Sequence, residues 1–218
     1  MRRMPLMAGL AVLIAAWAGP LPALSAASFT AHMALHLAVV AVAAPLIALG
    51  LPGAGSWLGE RLPRGLGALA MAPVAAAIEM LVVWGWHAPA LCRAARGGTF
   101  WHIAEQASWL AVGLLLWMSA LASARQGDGT GWGPWSGVLA LLLTSMHMTL
   151  LGSLIGLAPG TLYDLVAGAG LPPLGWSPLD DQRIGGILML AVGGAVYLAG
   201  GLYLIACALE DRPPVPAR

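Results

Sequence analysis

The chain has 218 residues, of which 60% are apolar and 9% charged, and its formal net charge is +1. That balance excludes an ordinary soluble domain, and the near-zero charge, with Arg as every cation, excludes a nucleic-acid partner. The fold class such a composition implies is an all-α polytopic transmembrane bundle forming one domain over residues 1–218.

Met1 to Ala27 opens with Arg2 and Arg3, continues apolar from about Pro5 to Gly19, and ends with Pro20, Pro22 and Ser25-Ala26-Ala27. The pattern fits a retained first helix and also a secretory signal with a small-residue cleavage site. Either way the next segment begins outside the cytoplasm. A second span is predicted from about Phe29 to Leu51, with His32, Met33 and His36 in its first two turns. His32 and His36 fall one helical turn apart on one face.

A loop from Gly53 to Gly67, with Glu60, Arg61 and Arg64, leads to a third span, about Ala68 to Trp86. Glu79 lies inside this span, and Trp84, Trp86 and His87 mark its far end. A loop with Cys92, Arg93 and Arg96 follows, then a fourth span from about Thr99 to Ala122 with His102, Glu105 and Gln106 in its opening turns. Beyond a linker with Arg125, Gln126 and Asp128 comes the fifth apolar run, about Val138 to Leu157. About 20 residues at ~1.5 Å rise span the hydrocarbon core, so its Met146-His147-Met148 sits near the midplane.

The longest outer loop, Ala158 to Arg183, carries Asp164, Asp180 and Asp181. The sixth span, about Ile184 to Leu209, bears Gly185-Gly186, Gly193-Gly194 and Gly200-Gly201, a small-residue face for close helix approach. A polar tail, Glu210 to Arg218, ends the chain. The reading is therefore six spans, or five after cleavage. Cys92 and Cys207 fall near opposite membrane faces, too far apart for a disulfide. Arg2, Arg3, Arg61, Arg64, Arg125, Arg212 and Arg218 outnumber Arg93, Arg96 and Arg183, which predicts cytoplasmic termini when the first helix is retained.

With that orientation, all five histidines lie between the outer surface and the midplane. Imidazoles and thioethers suit Cu(I) or haem iron better than a hard cation. The candidate metal ligands are His32, His36 and His147, with Met33, Met146 and Met148 as soft partners and His87 and His102 as an outer entry site. Glu79, Glu105 and Asp181 are the candidate carboxylates for orienting these rings. An intramembrane Glu can equally be a neutral acid bonded to a hydroxyl, and Met and His can simply fill helix interfaces. No Ser-His-Asp pattern, phosphate loop or metal-hydrolase spacing occurs, so no catalytic residue and no enzyme is expected.

His32-Met33-Ala34-Leu35-His36, Trp86-His87-Ala88-Pro89, His102-Ile103-Ala104-Glu105, Met146-His147-Met148-Thr149 through Gly152, Leu162-Tyr163 and Asp181-Gln182 before Gly185-Gly186 resemble, in order and spacing, the CtaG-type cytochrome c oxidase assembly factors. The resemblance implies a bacterial inner-membrane protein that helps make haem–copper oxidase, with copper, as Cu(I), the implied metal. Its implied partners are oxidase subunits, membrane lipid and periplasmic copper chaperones. Gln106 departs from the family pattern, which usually has a second His after the Glu of the fourth span.

Competing readings are a b-type haem protein, a copper permease and a metal-free scaffold. His36 with His102 could supply one haem pair, but His147 has no partner in the inner half. A permease needs ligands throughout the membrane, and the inner half offers only Met71, Met118, Met189 and Cys207.

Overall fold

Long apolar runs cannot leave backbone N–H and C=O groups unpaired in lipid, so they close their hydrogen bonds within helices. The computed structural model describes residues 3–51, 68–123, 133–163 and 175–210, and no strand occurs among them. The helices in chain order are α1 (Arg3–Ala18) and α2 (Leu21–Ala27), followed by α3 (Phe29–Gly50). Next come α4 (Ala68–Trp86), α5 (Pro89–Gly97), α6 (Thr99–Ser123), α7 (Gly133–Gly156) and α8 (Pro178–Glu210).

Four of these helices, α3, α6, α7 and α8, are long and apolar enough to cross a membrane. Two bent pairs raise the number to as many as six: α1 with α2, bent by 48°, and α4 with α5, bent by 73°. The protein is an all-α, multi-pass bundle of four to six spans, a range that includes the expected six.

Three boundaries differ from the sequence reading. The first apolar run breaks at Gly19-Pro20, where Pro20 stands at the N-cap of α2 and a proline in mid-helix would cost a backbone hydrogen bond. The expected loop around Arg93 is helix α5, begun by Pro89 at its first turn, where the missing N–H needs no partner. Cys92, Ala95 and Arg96 are buried there, and Arg96 donates from Nε to the Ser25 carbonyl (2.9 Å) and from Nη2 to the Ala26 carbonyl (3.2 Å). The last span begins at Pro178, ahead of the expected Ile184, because Ser177 caps it by accepting from the Asp180 N–H at 3.1 Å. Both cysteines are free. The loop Gly53 to Gly67, the linker with Arg125 and Asp128, Asp164 and the tail beyond Glu210 lie outside the described residues.

Glycines set the closest helix contacts. A Cβ on Gly186 would stand 2.6 Å from the Gly156 amide nitrogen and 2.8 Å from the Gly152 carbonyl oxygen, so α7 and α8 touch backbone to backbone. Gly186→Val should therefore push these helices apart. Overpacking of this kind costs roughly 1–3 kcal/mol, read as a lower thermal midpoint in detergent. An unchanged midpoint would refute the close fit. Gly9 and Gly50 play the same part where α1 lies on α3, against Ile47 and Leu6 respectively.

Helix α3 contains a π-helical segment, Ala38–Ala43, and α8 a second, Met189–Gly193. In α3 the Ala44 N–H reaches back five residues to the Val39 carbonyl. A regular α-helix would bond that N–H to Val40. Pro45, next in line, has no N–H to give, which disfavours a continuous α-ladder here.

Candidate functional site

The starts of α3, α6 and α8 meet the ends of α4 and α7 at one end of the bundle, the end read from the sequence as outer. Asp181 and Gln182 at the start of α8 hold this end together. Both are buried. The Asp181 carboxylate accepts from the Ser28 hydroxyl at 2.7 Å, the Phe29 N–H at 2.5 Å and the Thr30 N–H at 3.2 Å, and so caps α3 from outside. The Gln182 side chain accepts from the Leu162 N–H (2.6 Å) and donates to the carbonyls of Ile155 (3.2 Å) and Gly160 (3.3 Å). The Tyr163 hydroxyl donates to the His87 carbonyl at 2.9 Å, and burial pushes its pKa up, which keeps that donor protonated.

With its start pinned, α3 presents His32, Met33 and His36 to α4 and α6. His87 Nδ1 lies 2.6 Å from the Val83 carbonyl, which can only accept, so the proton is assigned to Nδ1 and the lone pair to Nε2. That lone pair faces Met33 Sδ at 3.4 Å. The His36 ring sits 5.5 Å from the His87 ring and 4.2 Å from the Trp109 indole, between centroids. The His32 ring also stands against Trp109, at 5.4 Å between centroids, with Nε2 3.4 Å from Glu105 Oε1. That contact is close but not aligned as a hydrogen bond. All four ring nitrogens of His32 and His36 are buried without a hydrogen-bond partner.

Four orphaned nitrogens in one place are unusual, because a buried polar group without a partner costs roughly 1–3 kcal/mol. His102 lies at the rim, its side chain 25% exposed, with Nδ1 3.9 Å from Glu105 Oε2. Gln106 accepts from the Trp17 indole N–H at 3.0 Å and donates to Glu105 Oε2 at 3.4 Å, which ties α1 to the cluster.

A second pair lies deeper. His147 Nε2 on α7 meets Glu79 Oε2 on α4 at 2.8 Å, and both side chains are buried. With Glu79 as acceptor, Nε2 carries the proton and Nδ1 keeps its lone pair. Nδ1 is buried and has no partner. The Tyr197 hydroxyl stands 3.5 Å from Glu79 Oε1 and 3.3 Å from the Val40 carbonyl freed by the π-segment. Trp117 also donates to that carbonyl, at 3.3 Å.

The sequence matches the family model described as cytochrome c oxidase caa3 assembly factor (Caa3_CtaG) over residues 1–210. The chain belongs to this family of cytochrome c oxidase assembly factors. Comparison with curated proteins found no match, and comparison with solved structures found none.

In this assembly factor the fold gathers His32, Met33, His36, His87 and Glu105, with His102 at their rim and the His147–Glu79 pair deeper. Met148 is buried close to Gly193 of α8, whereas Met146, 63% exposed, turns outward from the bundle. Asp181, expected to orient a ligand ring, contacts the first residues of α3 instead. Among the described residues, no three His, Cys, Asp or Glu side chains converge to hold a metal ion. Sequence reasoning missed Trp109 and Tyr197, both fully buried. Trp109 could have been found as the residue one turn after Glu105 on the buried face of α6; Tyr197, set among glycines, carried no such signal.

Proposed function

We propose that this assembly factor receives Cu(I) on the periplasmic side of the bacterial inner membrane, holds it on Met33 and His87, and passes it to an oxidase subunit. The termini are then cytoplasmic and the cargo arrives from periplasmic copper chaperones. The observation that carries the reading is the prepared His87 nitrogen. One nitrogen of the ring is tied to a carbonyl, and the other points its lone pair at a thioether.

Metal-binding histidines are oriented in this way by an acceptor on their second nitrogen. At 3.4 Å, Nε2 and Sδ are close enough to share one ion, since metal–nitrogen and metal–sulfur bonds run about 2.0–2.1 Å and 2.3 Å. His36 and His147 Nδ1 supply further unpaired nitrogens toward the bundle interior. Cu(I) accepts few, soft ligands, whereas the ligand set present would leave a hard cation under-coordinated. Low coordination also favours release to a partner. His102, Glu105 and His32 mark a route inward from the exposed rim. Nothing in this chemistry makes or breaks a covalent bond, so the role is that of a carrier and not an enzyme.

Elemental analysis and an absorption spectrum of the detergent-purified protein, with and without added Cu(I), test the proposal. Copper bound by the native chain and lost in a Met33→Leu/His87→Ala double variant, with no haem band, is the expected result. A Soret band would replace copper with haem, and neither metal nor haem would leave a scaffold for oxidase assembly.

A further inference from the structure

We propose that Tyr197 is a positioning residue for the copper cluster, holding the π-segment of α3 open at Val40 and thereby setting where Met33 and His36 stand. The inference rests on the function proposed above.

The π-segment divides α3 into two halves with different tasks. Before it come His32, Met33 and His36. After it, Ile47 and Gly50 pack against Gly9 and Leu6 of α1. Because Ala44 bonds to Val39, the Val40 carbonyl depends on side-chain donors. It receives two, from different helices: the Trp117 indole N–H of α6 and the Tyr197 hydroxyl of α8, each at 3.3 Å. The two aromatic rings stack at 5.5 Å with 19° between their planes, so each holds the other in place.

A π-segment adds one residue relative to an α-helix. Relaxing it would turn the first half of α3 by about 100° and shift it by ~1.5 Å relative to the second. Met33 would then leave the 3.4 Å contact with His87 Nε2, and His36 its place beside His87. The same hydroxyl lies 3.5 Å from Glu79 Oε1, whose other oxygen orients His147. Tyr197 is fully buried, so neither solvent nor lipid can replace what it donates.

Tyr197→Phe removes one oxygen and keeps the ring that stacks on Trp117. Native and variant proteins in detergent are loaded with Cu(I) and titrated with the chromophoric chelator bicinchoninate, and copper-edge X-ray absorption counts sulfur and nitrogen ligands. Losing a group that supports a ligand lowers metal affinity by about 10- to 100-fold. That loss is expected here, together with a weaker sulfur signal from Met33, while the thermal midpoint stays near native. A purely structural role would lower the midpoint and leave the ligand count alone.

Native affinity with native ligand numbers in Tyr197→Phe would overturn the inference. Should that variant not survive purification, Trp117→Phe removes the other donor to the same carbonyl; the smaller ring lowers the midpoint by the cavity it leaves, and the same loss of affinity and of sulfur signal is expected, with native affinity and ligand numbers overturning the inference. A native chain that takes up no Cu(I) would bring down the proposed function and this inference together. A native chain that binds copper no better than either variant overturns the inference alone.

Discussion

Cells carrying His87→Ala should keep the protein in their membranes but lose most cytochrome c oxidase activity and oxidase copper. Truncation removes the nitrogen that faces Met33, so the proposed cluster loses a ligand. Loss of a mere supporting group already weakens metal sites about 10- to 100-fold, and loss of a ligand costs no less. The fold should tolerate the change. The Val83 carbonyl still accepts the backbone N–H of residue 87 at 3.1 Å, and the Tyr163 bond goes to a backbone oxygen that alanine retains. Met33→Leu is the companion variant, because it nearly conserves volume while deleting only the soft donor. Oxidase activity and copper at native levels in both strains would show that Met33 and His87 carry no copper.

Asp181→Ala should be the most destabilising single change at the end of the bundle where α3 and α8 begin. It strands the Phe29 and Thr30 N–H groups and the Ser28 hydroxyl, whose present acceptor is this one carboxylate. Buried donors without partners cost about 1–3 kcal/mol each, and a lost helix cap about 1, partly for the same bonds, so roughly 3 kcal/mol is expected in all. The loss falls on the first turn of α3, which begins just ahead of His32, Met33 and His36. Copper uptake should therefore fall with the thermal midpoint. Asp181→Asn, which keeps one acceptor oxygen, should lie between native and alanine. A midpoint in the alanine variant within error of native would remove the capping role.

Much of the architecture was legible because it is local. A charge-free run from Val138 to Leu157 forms a helix whatever surrounds it, and the glycine pairs of α8 announced a close neighbour. The position of each histidine along its helix likewise followed from counting residues. Local chemistry was misjudged where proline and serine act as starts: Pro89 and Ser177 begin helices in stretches that composition alone suggests are loops.

Adjacency along the chain grouped Met146 with His147, although the helical period turns neighbouring positions about 100° apart. One of them faces Glu79 and the other faces out.

The chain alone thus determined an apolar, helical membrane protein with its imidazoles gathered toward one end, because hydropathy and helical period are properties of consecutive residues. Only the tertiary structure decided which groups meet. Glu79 finds His147 across 68 positions, Asp181 caps a helix 152 positions earlier, and Tyr197 reaches the Val40 carbonyl across 157. The physical reason is that such partners are chosen by packing. A buried donor takes whichever acceptor the neighbouring helix brings within about 3 Å, and no spacing rule along the chain encodes that choice.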